Sequence, residues 1–220
     1  MIKFIKLKYA VVEGIDFSGK SRAAKILAKL LGARITAEPY CETPESMEFK
    51  RKLCSNTMTK EEELQGYCES RKWVFRDVIW PHLQDGKMVI SDRNVLTSMI
   101  YQSSGDVSYK DIYNFNKDEL AKSGFDIRPQ LIFFMDIDHD EFMKRLNDAA
   151  SSGREVNAKD LMFRDKDLFD SYRQKYIDSL EYLRSHEGVF VHRLKPEDVT
   201  EENLIEVLEA VESRLNMLTR

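Results

Sequence analysis

Short apolar, β-branched runs alternate along the chain with longer stretches in which apolar residues recur every three to four positions. That alternation predicts an α/β fold with a mainly parallel sheet. The expected strands are Tyr9 to Val12, Ala33 to Thr36, Met88 to Ser91, Leu131 to Met135 and Val189 to Val191. Several are continuous apolar runs, as strands covered on both faces should be. From Lys20 to Leu31 the residues Ala23, Ile26, Leu27, Leu30 and Leu31 share one helical face, and Gly32 supplies a stop. A second helix is expected from Glu61 to Leu83, with acids in its first turn and Pro81 kinking or closing its end. Leu161 to Leu183 and Glu201 to Leu218 read as helices by the same test, the latter capped by Thr200, and further helices fill the remaining gaps. The small, polar stretch from Asn147 to Asp160 lacks apolar periodicity and reads as a mobile loop.

Composition narrows the class. At 220 residues, 42% hydrophobic and 33% charged, the chain suits one globular domain with a full core. A net charge of −4 argues against a general nucleic-acid binder, which needs a basic face to displace counterions. No apolar run approaches a membrane span, and the opening Met1 to Lys6 lacks a signal peptide's apolar stretch, so a cytoplasmic protein is expected. Cys41, Cys54 and Cys68 have no metal-binding spacing and read as reduced thiols. Asp136, Asp138 and Asp140 alternate like calcium ligands, but no glycine or closing glutamate follows, so they read as loop and cap acids.

The strongest chemical signal is Gly14-Ile15-Asp16-Phe17-Ser18-Gly19-Lys20-Ser21, which fits GxxxxGK[ST] between an expected strand and an expected helix. Glycines let such a loop wrap closely with its N–H groups turned inward, and the helix adds its positive end. Lys20 then neutralises the outer phosphates, and the Ser21 hydroxyl suits a Mg²⁺ bridging phosphate oxygens. The motif alone leaves GTPases, motors, transporters and small-molecule kinases open, because fold does not choose the second substrate.

Glu13 to Ser21 resembles the phosphate loop of thymidylate kinases, commonly EGxDGxGKS. Four further segments fall in that family's order: Thr36-Ala37-Glu38-Pro39, Arg71, Asp92-Arg93-Asn94 with Ser98 and Tyr101-Gln102 behind it, and Arg128 to Leu131. The run from Asp92 to Gln102 is the most specific, resembling DRYxxSxxAYQ. The chain departs from the pattern at Ala37, usually arginine, at Asn94, usually tyrosine or histidine, and at Tyr40-Cys41, usually a glycine pair.

The resemblance implies a P-loop kinase three-layer sandwich: a five-stranded parallel sheet of order 2-3-1-4-5 with helices on both faces. It implies a single domain over residues 1–220 with a small lid at about 147–165. It further implies transfer of the γ-phosphate of ATP to a deoxynucleoside monophosphate, foremost dTMP to dTDP, with Mg²⁺ and a homodimer. A deoxynucleoside kinase and a nucleotide-gated ATPase switch are the alternatives. ATP would sit on Gly14, Phe17, Ser18, Gly19, Lys20, Ser21 and Arg22, with the metal on Ser21 and Asp92. Arg93 offers a planar fork to the acceptor's phosphate, and Asp16 reaches its sugar hydroxyl or the metal. Tyr67 and Arg71, four apart on one helix face, would stack on the base and contact its edge. Ser98 would contact the pyrimidine ring, Tyr101 would crowd the sugar and disfavour a 2′-hydroxyl, and Gln102 would join them in binding the acceptor. Catalysis would rest on Lys20, Arg93, Asp16 and a lid arginine, Arg154, with Arg164 in reserve and Lys159 behind it.

Overall fold

A computed structural model describes residues 7–53, 55, 57–153 and 156–218. Its sheet runs β2-β3-β1-β4-β5, all parallel. The strands are β1 Tyr9–Glu13, β2 Arg34–Ala37, β3 Val89–Asp92, β4 Leu131–Met135 and β5 Phe190–Leu194. Each lies within a few residues of its expected place. Every residue of β1 and of β4 is buried, the outcome required when helices cover both faces of a sheet.

Two apolar layers sandwich the sheet. Val11, Ile132 and Phe134 point into one, alternating with Ala10, Val12, Leu131 and Phe133 in the other. α1 (Lys20–Leu31) and α10 (Glu201–Leu218) cover the second face through Ala23, Leu27, Leu204, Leu208 and Val211. Thr200 caps α10 as expected, its hydroxyl accepting from the Asn203 amide at 3.1 Å. The first face is covered by α3 (Lys60–Val74), α5 (Val95–Tyr101), α6 (Tyr109–Ala121) and α9 (Lys166–His186). α2 (Pro44–Leu53) leans on α3, where the Leu53 side chain occupies the space that a Cβ on Gly66 would need.

Pro81 does not end the helical run that contains it. The chain widens into one π turn over Phe75–Ile79, with the Trp80 amide bonding back to Phe75, and continues as α4 (Trp80–Gln84), which has Pro81 in its first turn. A proline lacks the amide that an interior helix position needs, and a first-turn position makes no such demand. The expected 161–183 helix is divided: a short α8 (Ala158–Met162) precedes α9, whose start is fixed by the Asp165 carboxylate accepting from the Leu168 amide at 3.1 Å. The polar stretch read as a loop is partly helical too, since α7 (His139–Ser151) runs into it. Asp138 caps α7 through the Glu141 amide at 2.9 Å, and Asp136 receives two hydrogen bonds from Arg173, so both act as loop and cap acids.

Candidate active site

The carboxyl ends of β1 and β3 carry the chemistry, since parallel strands of an open sheet deliver ligand-binding loops to that edge. Val12 and Asp92 are register partners there, which puts the loop after β1 beside the turn after β3. The loop from Gly14 to Gly19 is shaped by backbone conformations that side chains resist: Gly14 has φ 151° and Gly19 φ 96°. A Cβ on Gly14 would come within 2.8 Å of the Met135 carbonyl oxygen, so glycine is demanded by contact as well as by conformation. Phe17, at φ 63°, turns its ring edge-on to Phe142 on α7. α1 starts at Gly19 with no side-chain cap and no acid in its first turn, leaving its positive end for an anion. Ser21 and Arg22 are exposed in that first turn.

Asp16 stands between two cations. Its Oδ1 accepts from the Lys20 ammonium at 2.9 Å and from Nη2 of Arg93. Burial alone would push the Asp16 carboxyl up, but Arg93 and Lys20 outweigh it and hold the group well below the usual carboxylate range. Burial pushes the Lys20 ammonium down, Arg93 adds to that, and Asp16 only partly offsets them. For Arg93 burial opposes the charge, while Asp16, with Tyr176, Tyr101 and Glu13 adding to it, more than offsets burial and raises the group well above its ordinary value. Lys20, buried, and Arg93, half-buried, thus bring two cations to the phosphate loop, with the carboxylates of Asp16, Glu13 and Asp92 close by to hold them in place until a polyanion competes.

A cavity of about 570 Å³ opens beside this cluster, and Asp16, Tyr67, Arg93, Ser98, Tyr101 and Gln102 all line it. Arg71 does not. It lies behind the wall, 1% exposed, with Nε donating to Glu38 at 2.8 Å, Nη2 to Ser98 at 3.1 Å and Nη1 to Asn116. Burial pushes the Glu38 carboxyl up even though Arg71 pairs with it. Among the described residues, neither amide atom of the buried Gln102 side chain, which lines the cavity, has a hydrogen-bond partner. Orphaned groups in a concave wall are what a polar ligand would satisfy.

Residues outside the predicted set brace the site as well. Arg145, on α7, donates to the carbonyl oxygens of Phe17 at 3.2 Å and Ser18 at 2.8 Å, and Glu141 holds it by an ion pair. The Tyr176 hydroxyl donates to the Gly14 carbonyl at 3.1 Å, so α9 too is tied to the loop. Arg173, also on α9, pairs with Asp136. Asn94 caps α5 through the Leu96 amide at 2.9 Å, a backbone task that sequence did not suggest for the family's tyrosine position. Arg154 and the Lys159 side chain lie outside the described residues; Arg164 is exposed, and its carbonyl contacts His139 at 3.2 Å.

A parallel 2-3-1-4-5 sheet with a GxxxxGK[ST] loop leaving its central strand defines a P-loop kinase fold. A family profile described as thymidylate kinase matches residues 12–203. The thymidylate kinase of Brachyspira hyodysenteriae is 25% identical over 84% of this chain and 90% of its own length. A probable thymidylate kinase of Methanococcus vannielii is 31% identical over 74% of this chain and 70% of its own. A crystal structure of thymidylate kinase from Ehrlichia chaffeensis shares the fold, with a TM-score of 0.63 over 92% of this chain and 98% of that one at 21% identity. The chain belongs to the thymidylate kinase family.

Proposed function

We propose that the chain transfers the γ-phosphoryl group of ATP to dTMP, giving ADP and dTDP. The observation that carries this reading is that Asp16, from the phosphate loop, and Arg93, from the turn after β3, line one cavity. Two polyanions repel when brought end to end, and Lys20 and Arg93 supply cations on either side of the junction. Backbone amides of the loop and the uncapped end of α1 hold the donor, while the Arg93 fork holds the acceptor's phosphate. Fixed cations that need no reorganisation as charge shifts are the main source of rate in such transfers.

Tyr67, Tyr101, Ser98 and Gln102 shape the space for sugar and base, with Arg71 acting from behind the wall through Ser98. Asn157, Asp160, Met162 and Phe163 reach the same cavity, which supports a lid at about 147–165 that excludes water during transfer. Among the described residues no cluster of three or more carboxylate, histidine or cysteine ligands exists. Asp92 does carry a buried Oδ1 with no partner among the described residues, and Ser21 is exposed, a sparse donor set that suits Mg²⁺. When bound, the metal supplies neutralisation of charge on the phosphate oxygens. Family membership supports a homodimer, and the free thiols of Cys41 and Cys68 suit a cytoplasmic setting. No helix among the described residues is long and apolar enough to cross a membrane.

The test is ADP release measured with dTMP, thymidine, other monophosphates or no acceptor. The account expects dTMP to support the fastest turnover. Turnover on thymidine above that on dTMP would favour a nucleoside kinase, and ATP hydrolysis indifferent to any acceptor would favour an ATPase switch.

A further inference from the structure

Glu13 closes β1 with 0% exposure and does not reach the cavity, yet its carboxylate is almost wholly consumed by the turn that bears Arg93. Its Oε1 accepts from the Asn94 amide at 2.8 Å, the Thr97 amide at 3.2 Å and the Thr97 hydroxyl at 3.0 Å. Its Oε2 is 3.0 Å from the same hydroxyl and 3.4 Å from the Gly14 amide. One buried carboxylate thus joins the first residue of the phosphate loop to the residues on the far side of Arg93.

Arg93 needs such a tether. It has φ 77°, a left-handed conformation that a side chain adopts only where its surroundings over-determine it. The peptide before it is fixed by the Arg93 amide donating to Val12 at 3.0 Å, and its own carbonyl accepts from the Ser91 hydroxyl at 2.7 Å. The peptide after it is held by Glu13. The side chain is fixed in the same way: a threonine hydroxyl has one hydrogen, and Thr97 spends it on Glu13. Its lone pairs then accept from Nη1 of Arg93 at 3.1 Å, while Nη2 goes to Asp16. A hydroxyl that donates to an anion becomes a better acceptor, so the Glu13 charge strengthens the grip on the guanidinium.

We propose that Glu13, acting through Thr97, is a positioning residue that fixes the Arg93 guanidinium for the acceptor's phosphate and couples it to the start of the phosphate loop. The inference rests on reading Arg93 as the group that holds the acceptor's phosphate. Because Glu13 cannot touch either nucleotide, any effect of changing it that falls on the acceptor alone has to pass through the turn it holds.

The experiment measures kcat, the KM for dTMP and the Kd of ATP for Glu13→Gln, Thr97→Val, Thr97→Ser and Arg93→Ala, with thermal melts for each. Thr97→Val is expected to raise the dTMP KM and lower kcat by about tenfold or more, the scale of a lost hydrogen bond to a charged group, with ATP affinity within about twofold of wild type. Thr97→Ser restores both, and Glu13→Gln moves them further in the same direction. Thr97 itself lines the cavity, so a Thr97→Val defect counts for positioning only where Glu13→Gln shares it; should Glu13→Gln fail to fold, Glu13→Asp, which keeps the charge and shortens the reach, takes its place. If Arg93→Ala impairs dTMP use while Thr97→Val does not, or if Thr97→Ser is as poor as Thr97→Val, the positioning role is wrong and the phosphate-binding role of Arg93 stands. If ATP and dTMP weaken equally in Thr97→Val, the residue is merely structural and the inference fails. Wild-type behaviour of Arg93→Ala overturns both.

Discussion

Two arginines of this chain are paired with carboxylates around the same cavity, and their surroundings differ in one respect that sorts their roles. Arg93 meets Asp16, a side chain 42% exposed, whereas Arg71 meets Glu38 with 1% and 5% of their side chains exposed. Arg71 is further occupied by Asn116 and Ser98, on two other helices, so it is a scaffold charge whose donors are committed to protein. Arg93 shares its carboxylate with Lys20, and an incoming phosphate can take that carboxylate's place. A charge meant to work is kept within reach of a competing anion, and a charge meant to hold the wall is sealed.

The sharpest way to break this contrast is to delete the working charges. Lys20→Ala and Arg93→Ala are each expected to cut kcat/KM by about 10²–10³-fold, the scale of removing one transition-state donor, while the melting temperature falls only by the weakened Asp16 pairing, far less than for a sealed charge. Steady-state kinetics with thermal melts checks both halves, and a variant that loses its fold before its activity would erase the distinction.

Arg71→Ala should show the opposite signature. It strands the Glu38 carboxylate in the interior, a loss of about 3–5 kcal/mol that lowers Tm on the order of 10 °C in a domain of this size. Calorimetry reads this directly, and a stable Arg71→Ala enzyme with a selectively weakened base preference would move Arg71 from the scaffold to the working set.

A smaller effect sharpens the Asp16 side. Its depressed folded-state pKa means that its stabilising contribution is complete above its unfolded value, roughly 3.9, and is lost as pH falls towards the folded value. The Tm difference between wild type and Asp16→Asn should therefore be constant from neutral pH to about pH 5 and shrink below about pH 4. A difference unchanged down to pH 3 would mean that the carboxylate is not ion-paired in the free protein.

The contrast also explains what could be read in the sequence. The phosphate loop is contiguous, and its glycines, Lys20 and Ser21 act through local backbone geometry, so Gly14 to Ser21 states its own purpose. The strands were legible for the same reason, being short apolar runs whose burial on both faces leaves no polar ambiguity. The sealed network was not. Arg71 looked like a cavity-facing group because Tyr67 shares its helix face, and nothing local reveals that Glu38, Ser98 and Asn116 converge on it from distant positions.

Short helices were equally hidden. α5 has seven residues, begins on the Asn94 cap and follows a strand directly, too short a span for a helical period to stand out. Glu13 did carry a signal, a carboxylate at the end of a wholly apolar strand, where an unpaired charge would be costly and a set of backbone donors must therefore wait. Thr97 offered none, since its importance lies in one hydroxyl that donates to Glu13 and accepts from Arg93, two residues distant in the chain from each other.

On the proposed reading, the two nucleotides are held by separate cations on either side of Asp16. Calorimetric titration of dTMP and of ATP into Lys20→Ala and Arg93→Ala tests it most directly. The account predicts that Arg93→Ala weakens dTMP by about tenfold or more and leaves ATP nearly untouched, with Lys20→Ala doing the reverse. Wild-type affinity for dTMP in Arg93→Ala would contradict it.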